Sequence, residues 1–99
     1  MIMKMKKKIP VEGDLKKLDV ESWGTWSKEV SEFDWSYDDT ETCYLLEGEV
    51  EVTDSKTGEK IEFKKGDLVQ FERGLKCVWN VKKPVRKYFN FDLEFGAID

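Results

Sequence analysis

Between residues 23 and 91 the chain is a succession of short apolar or alternating runs, each closed by a turn signal, and few folds accept that texture. Trp26, Val30, Phe33 and Trp35 stand among charged residues and read as one or two strands, closed by a turn at Asp38-Asp39. Thr42-Cys43-Tyr44-Leu45-Leu46 then runs apolar up to Glu47-Gly48. Beyond it Val50 and Val52 alternate with Glu49 and Glu51, the period of two that marks a strand with one face buried. Asp54-Ser55-Lys56-Thr57-Gly58 has the makings of a hairpin tip, with Gly58 free to adopt a positive φ, and Ile61 and Phe63 lie on the return strand. Lys65-Gly66-Asp67 is the next turn. Leu68-Val69-Gln70-Phe71, Cys77-Val78-Trp79-Asn80-Val81 and Tyr88-Phe89-Asn90-Phe91 follow as further strands. No stretch supports an amphipathic helix longer than a turn or two. Strands so short and so regularly spaced predict an all-β sandwich or closed barrel.

Residues 1–20 differ in texture. They are Lys-rich, with Ile9, Val11, Leu15, Leu18 and Val20 as their apolar content, and are expected to form an N-terminal extension to a β domain at 21–99. That extension would pack as an edge strand or as a short helical turn, with Leu15 and Leu18 behind Gly13-Asp14. The basic run at Lys4, Lys6, Lys7 and Lys8 reads as a frayed, solubilising start. The run at 42–46 is apolar on both parities, so both faces of that strand must be covered. One face would line the interior, and the other would meet an N-terminal strand or a second subunit. A homodimer is the expectation, because symmetry buries surplus apolar surface.

Composition narrows the function. Hydrophobic residues at 39% and charged residues at 38% are a globular balance, and 99 residues suit a single core. The net charge of −4 comes from lysine and glutamate interspersed throughout, which argues against a nucleic-acid partner. No apolar stretch approaches the roughly 20 residues of a membrane span, and no signal-peptide h-region is present, so a cytoplasmic protein without a membrane partner is expected. Four Trp, six Phe and three Tyr are enough to fill a small β core and still line a concave pocket. The two cysteines, Cys43 and Cys77, fit no CxxC pattern and are expected as free thiols. Histidine is absent, which removes the commonest general base and transition-metal ligand together.

Two stretches, "WSKEVSEFDWSYDDTETCYLLEGEVEV" and "KKGDLVQFERGLKCVWNV", resemble the two motifs of the RmlC-like cupins. Trp35 and Tyr37 stand where the first motif carries two histidines, Glu41 matches its glutamate and Gly48 its closing glycine. Gly66 and Gly74 match glycines of the second motif, Glu72 replaces its proline and Cys77 occupies the place of its histidine. The 17 residues between Gly48 and Gly66 suit a compact cupin. Within the superfamily the chain is similar to the small single-domain cupins grouped with the ureidoglycine aminohydrolase cupin domain. The resemblance implies a double-stranded β-helix, or jelly-roll, barrel with a ligand-sized cavity, and at family level a hydrolytic chemistry on ureido or amino compounds. The metal of the histidine-bearing relatives does not carry over.

On this reading Glu41, Cys77 and Tyr37 are the candidate catalytic groups, and Trp35, Trp79 and Cys43 the candidate substrate-binding ones. Strand alternation places Glu41 with Cys43, Trp35 with Tyr37, and Cys77 with Trp79. A carboxylate desolvated among aromatics would rise in pKa towards neutrality and serve as a general acid or base. Cys77 reads as a small buried hydrophobe or as a thiolate, the latter needing a cation such as Lys76, Arg86 or Lys87 nearby. Trp26 and Phe33 read as core. Cys77, Cys43, Glu41 and Tyr37 offer only sulfur and oxygen, a donor set that zinc accepts, but no cofactor is assigned. The expected partner is a small polar organic molecule. The alternative is a structural or interaction module whose barrel is plugged by its own aromatics.

Overall fold

The computed structural model of the chain describes residues 4–91; residues 1–3 and 92–99 of the two expected regions lie outside the described part. Seven strands form one antiparallel sheet that curls around its core: β1 (Met5–Lys8), β2 (Gly24–Lys28), β3 (Ser31–Ser36), β4 (Glu41–Asp54), β5 (Lys60–Lys64), β6 (Leu68–Phe71) and β7 (Lys76–Phe91). A helix, α1 (Glu12–Leu18), and a 3-10 turn at Val20–Ser22 precede β2. The two long strands organise everything. β4 pairs with β7 along most of its length, with β6 on its first part and with β5 on its second. β7 pairs with β3 over its first part and with β2 over its last. The apolar run at 42–46 and the alternating run after it are therefore one strand, and the last two sequence strands are likewise one.

The join within β4 explains why the sequence looked broken there. Inward residues are Glu41, Cys43 and Leu45 before Gly48, and Val50, Val52 and Asp54 after it, so the inward parity flips. The β4–β7 register shifts three times between Leu45 and Val50, which supplies the flip. Gly48 sits at the bend with φ +105°, and a Cβ there would stand 2.6 Å from the Pro84 carbonyl oxygen and 2.8 Å from Val85 Cα. Only glycine lets the two long strands approach so closely. Pro84 falls in the same irregular stretch, where the ladder asks no hydrogen bond of it.

Two apolar clusters result. The larger lies inside the curl and includes Leu45, Val50, Val52, Phe63, Val69, Phe71, Leu75, Trp79 and Val81. The smaller lies outside, where Val20, Trp23 and Leu68 are buried with Leu15, Leu18, Tyr44 and Tyr88 packed against them. The Trp23 indole N–H donates to the Leu18 carbonyl at 3.1 Å, tying the N-terminal turns down. The second face of the 42–46 run thus meets α1 and the 3-10 turn of its own chain, rather than an N-terminal strand. The basic start is not frayed as expected: residues 5–8 pair with β6, and Met5 is buried.

Candidate functional site

At one end of the curl a cavity of about 180 Å³ opens between β2, β3, β4 and β7. Its walls are aromatic. Trp26 comes from β2, Phe33 and Trp35 from β3, and Trp79, Phe89 and Phe91 from β7. The pairing that builds the sheet puts these rings together, since Trp26 stands opposite Lys87, and Phe33 opposite Trp79. Phe33 and Trp79 stack with centroids 6.1 Å apart, and Trp26 meets Trp79 edge-on at 5.9 Å. Trp35 and Phe91, each 47% exposed, stand at the rim.

Three polar groups sit on the floor. The Lys87 ammonium donates to Glu41 Oε2 at 2.8 Å and to Cys43 Sγ at 3.2 Å. The Cys43 thiol donates to the same Oε2 at 3.0 Å. The faces of Trp26 and Trp79 each lie 4.8 Å from Lys87 Nζ. Lys87 is 5% and Glu41 8% exposed, so this is a buried ion pair with a thiol and two indoles completing its shell. Both bonds to Glu41 fall on Oε2, which leaves Oε1 to a ligand in the cavity it lines. An ammonium has three donors; the described residues accept from two of them.

Burial governs the protonation of the groups around the pair. Burial pulls the Lys87 amine down, and the charges and hydrogen bonds of Cys43 and Glu41 more than offset it, so Lys87 lies above the ordinary lysine value and is an ammonium at neutral pH. Burial pushes the Cys43 thiol up to about 12 despite the opposing pull of Lys87. The Tyr37 phenol, raised well above 10.0 first by burial and then by its neighbours Cys43 and Glu41, receives the Trp79 indole N–H at 3.1 Å.

The sequence-derived candidates divide. Glu41, Tyr37, Trp35 and Trp79 line the cavity, Trp35 at the exposed rim rather than inside. Cys43 lies fully buried beneath it and touches Glu41 and Lys87. Cys77 does not join them. Its Sγ contacts the Trp35 carbonyl oxygen at 3.6 Å, within the main core. Burial first, then Asp54 and Asp34, push its thiol up to about 12, so it is no thiolate nucleophile. It stays near Tyr37, whose phenol it helps to raise, but makes no hydrogen bond to Glu41 or Lys87 and does not line the cavity. Trp26 and Phe33, expected as core, are half-buried walls of the cavity. Lys87, one of the cations the sequence offers to Cys77, bonds Cys43 and Glu41 instead. Its signal was present: Val85, Lys87 and Phe89 share one parity, so a strand through them sets a lysine on the apolar face.

Residues 15–89 match the model of the EutQ-like cupin domain. The chain belongs to that family. A DUF861 family protein from Thermotoga maritima is 55% identical and superposes with a TM-score of 0.86, covering 88% of this chain and 98% of that one. A DUF861 family protein of unknown function from Pseudomonas syringae pv. tomato is 26% identical with a TM-score of 0.61, over 69% of this chain and 29% of that one. The Clostridium difficile EutQ protein, 21% identical, shares the fold with a TM-score of 0.63 over 88% of this chain and 66% of that one. No curated protein matches. The all-β cupin barrel is thus the fold of this chain. Among the described residues no helix is long and apolar enough to cross a membrane.

This cupin's donor set does not fit a metal ion. Among the described residues no three Cys, Asp or Glu side chains gather as ligands. Glu41 and Cys43, 3.0 Å apart, share a buried ammonium that already supplies the positive charge there, and two such donors fall short of the three protein ligands a zinc site takes.

Proposed function

We propose that this EutQ-like cupin binds a small, neutral, planar polar molecule of the amide or ureido class in the cavity above Lys87 and Glu41. The observation that carries the reading is the ion pair itself. Because Lys87 and Glu41 neutralise each other, a charged ligand would have to disrupt the pair or be buried without a partner, at a cost of several kcal/mol. A neutral amide or urea meets no such cost. Its carbonyl accepts from the third Lys87 N–H, its N–H donates to Glu41 Oε1, and its flat face lies along the aromatic wall of the cavity. At about 180 Å³ the cavity is smaller than the roughly 300–1,000 Å³ of drug-sized sites, so the ligand is a fragment-sized metabolite. A ureido compound is the member of this class that the likeness to the ureidoglycine aminohydrolase cupins favours.

The alternative of a barrel plugged by Trp35, Tyr37 and Trp79 finds Trp35 at the exposed rim, while Tyr37 and Trp79 join Phe63 and Phe71 in filling the interior below. The plug stops short of Glu41 and Lys87, which line open space, and this favours the binding reading. Reaction through a thiolate has no support, since Cys43 stays a thiol up to about 12.

Thermal-shift measurements with size-matched ureas, amides, amines and carboxylates test the proposal. A ligand at ten times its Kd adds about 1.4 kcal/mol, which raises the melting temperature of a domain this size by roughly 5–10 °C. Ureas or primary amides are expected to give such shifts in the wild type and none in Glu41→Gln. Stabilisation by amines or carboxylates alone, or no shift from any class, contradicts it.

A further inference from the structure

We propose that Lys87 is the resident cation of the pocket, standing in the place between Glu41 and Cys43 that a divalent metal would have to take, so that this cupin site excludes metal and works without it. The Nζ atom already holds the carboxylate and the sulfur that a borderline ion would take as ligands there, at 2.8 and 3.2 Å. A metal entering there would have to displace an ammonium that is held by two hydrogen bonds and faces two indoles at 4.8 Å. It would also have to take the proton from a thiol that burial holds at about 12, because sulfur binds metal as thiolate. The ammonium presents its positive charge to the cavity as a metal ion would, but as a hydrogen-bond donor rather than a Lewis acid. Its anchor is positional: Lys87 projects from β7 beside Val85 and Phe89, and β4 presents Glu41 and Cys43 two residues apart on the facing strand.

The inference makes a substitution informative. Histidine at position 87 ends short of the lysine amine, leaving room for a metal–nitrogen bond of about 2.1 Å, and would join Glu41 and Cys43 as three protein ligands with a fourth position open. Cobalt(II) is the probe, because its bond to a thiolate gives a charge-transfer absorption in the near ultraviolet. The wild type is expected to show no such band and no stoichiometric uptake. Lys87→His is expected to bind one equivalent, at least roughly tenfold more tightly than the wild type, with a band that disappears when Cys43→Ser is added. Stoichiometric, Glu41-dependent uptake by the wild type overturns the proposal whether or not the variant folds. A folded Lys87→His that takes up no cobalt overturns it as well. If the variant folds only when cobalt is supplied, the metal is doing what the lysine did, and the proposal stands. These outcomes concern the cation alone, so they separate from failure of the amide or ureido reading. Should such a ligand bind, its thermal shift is expected to survive EDTA.

Discussion

An ammonium bonded to a carboxylate and a thiol, with two indoles beside it, has given up nearly all its water. Such a group is stable only because its charge is paired, and removing the partner from a buried pair costs roughly 3–5 kcal/mol. The same burial sets a pH dependence. The Cys43 thiol is raised to about 12, above its value in the unfolded chain, so its contribution to stability is fully present below about pH 9 and is lost progressively as the pH rises towards 12. Lys87, also raised, acts in the same direction at higher pH: its contribution is whole below its unfolded value and is lost as the pH passes the folded one. Between pH 8 and pH 10.5 the thiol alone should remove about 2 kcal/mol. Urea unfolding of the wild type and Cys43→Ala at the two pH values measures it. The wild type is expected to lose about 2 kcal/mol more than the variant, and equal losses would show that Cys43 does not titrate as its burial requires. Part of this chemistry could be read from residues alone. Glu41 and Cys43 were paired by alternation and do touch. Lys87 was not recognised because a lysine carries no apolar signal of its own, and because the strand through it seemed to begin only at Tyr88.

At the level of elements, the cavity exists because β4 and β7 change character midway. The three register shifts and the positive φ at Gly48 turn the sheet on itself, so that Glu41 at the start of β4 and Lys87, Phe89 and Phe91 near the end of β7 line one cavity with the aromatics of β2 and β3. A side chain at Gly48 would collide with backbone atoms of Pro84 and Val85, which cannot move aside as a flexible side chain could. Gly48→Ala is therefore expected to cost about 3 kcal/mol, combining a disfavoured backbone region with a steric clash. Gly58→Ala, at φ +77° but with open space around it, is expected to cost about 1 kcal/mol. Equal destabilisation of the two variants, measured by urea unfolding, would mean that the close approach at Gly48 is not what shapes the barrel. The individual strands were legible because alternation and turns are local properties. That the strand at 42–46 continues past Gly48, and that Pro84 lies within β7, depended on a bulge whose cause is 36 residues away in sequence. Local patterning carries no trace of it.

For the molecule as a whole, the barrel is filled at one end by Phe63, Phe71, Trp79 and Tyr37 and left open at the other, where the ion pair forms the floor. The fold class was evident from strand spacing and from the likeness to cupin motifs, and residues that replace the family's histidines do gather in part. Trp35 and Tyr37 line the cavity. Cys77, the third replacement, is core: its place on β7 pairs it with Trp35 and Asp54, and its thiol bonds the Trp35 carbonyl instead of lining the cavity. The outer face of the 42–46 run, expected to meet an N-terminal strand or a second subunit, packs at Tyr44 against residues of α1 and the 3-10 turn, an arrangement that lysine-rich composition concealed. Taken together, the charged centre of this cupin is a lysine held between Glu41 and Cys43. Proton NMR of the lysine side chains at pH 7 tests that claim most directly. One lysine ammonium is expected to exchange slowly with water and to carry ring-current-shifted ε-methylene signals from Trp26 and Trp79, with both features lost in Glu41→Gln. Uniformly fast exchange and unshifted methylenes for every lysine would contradict it.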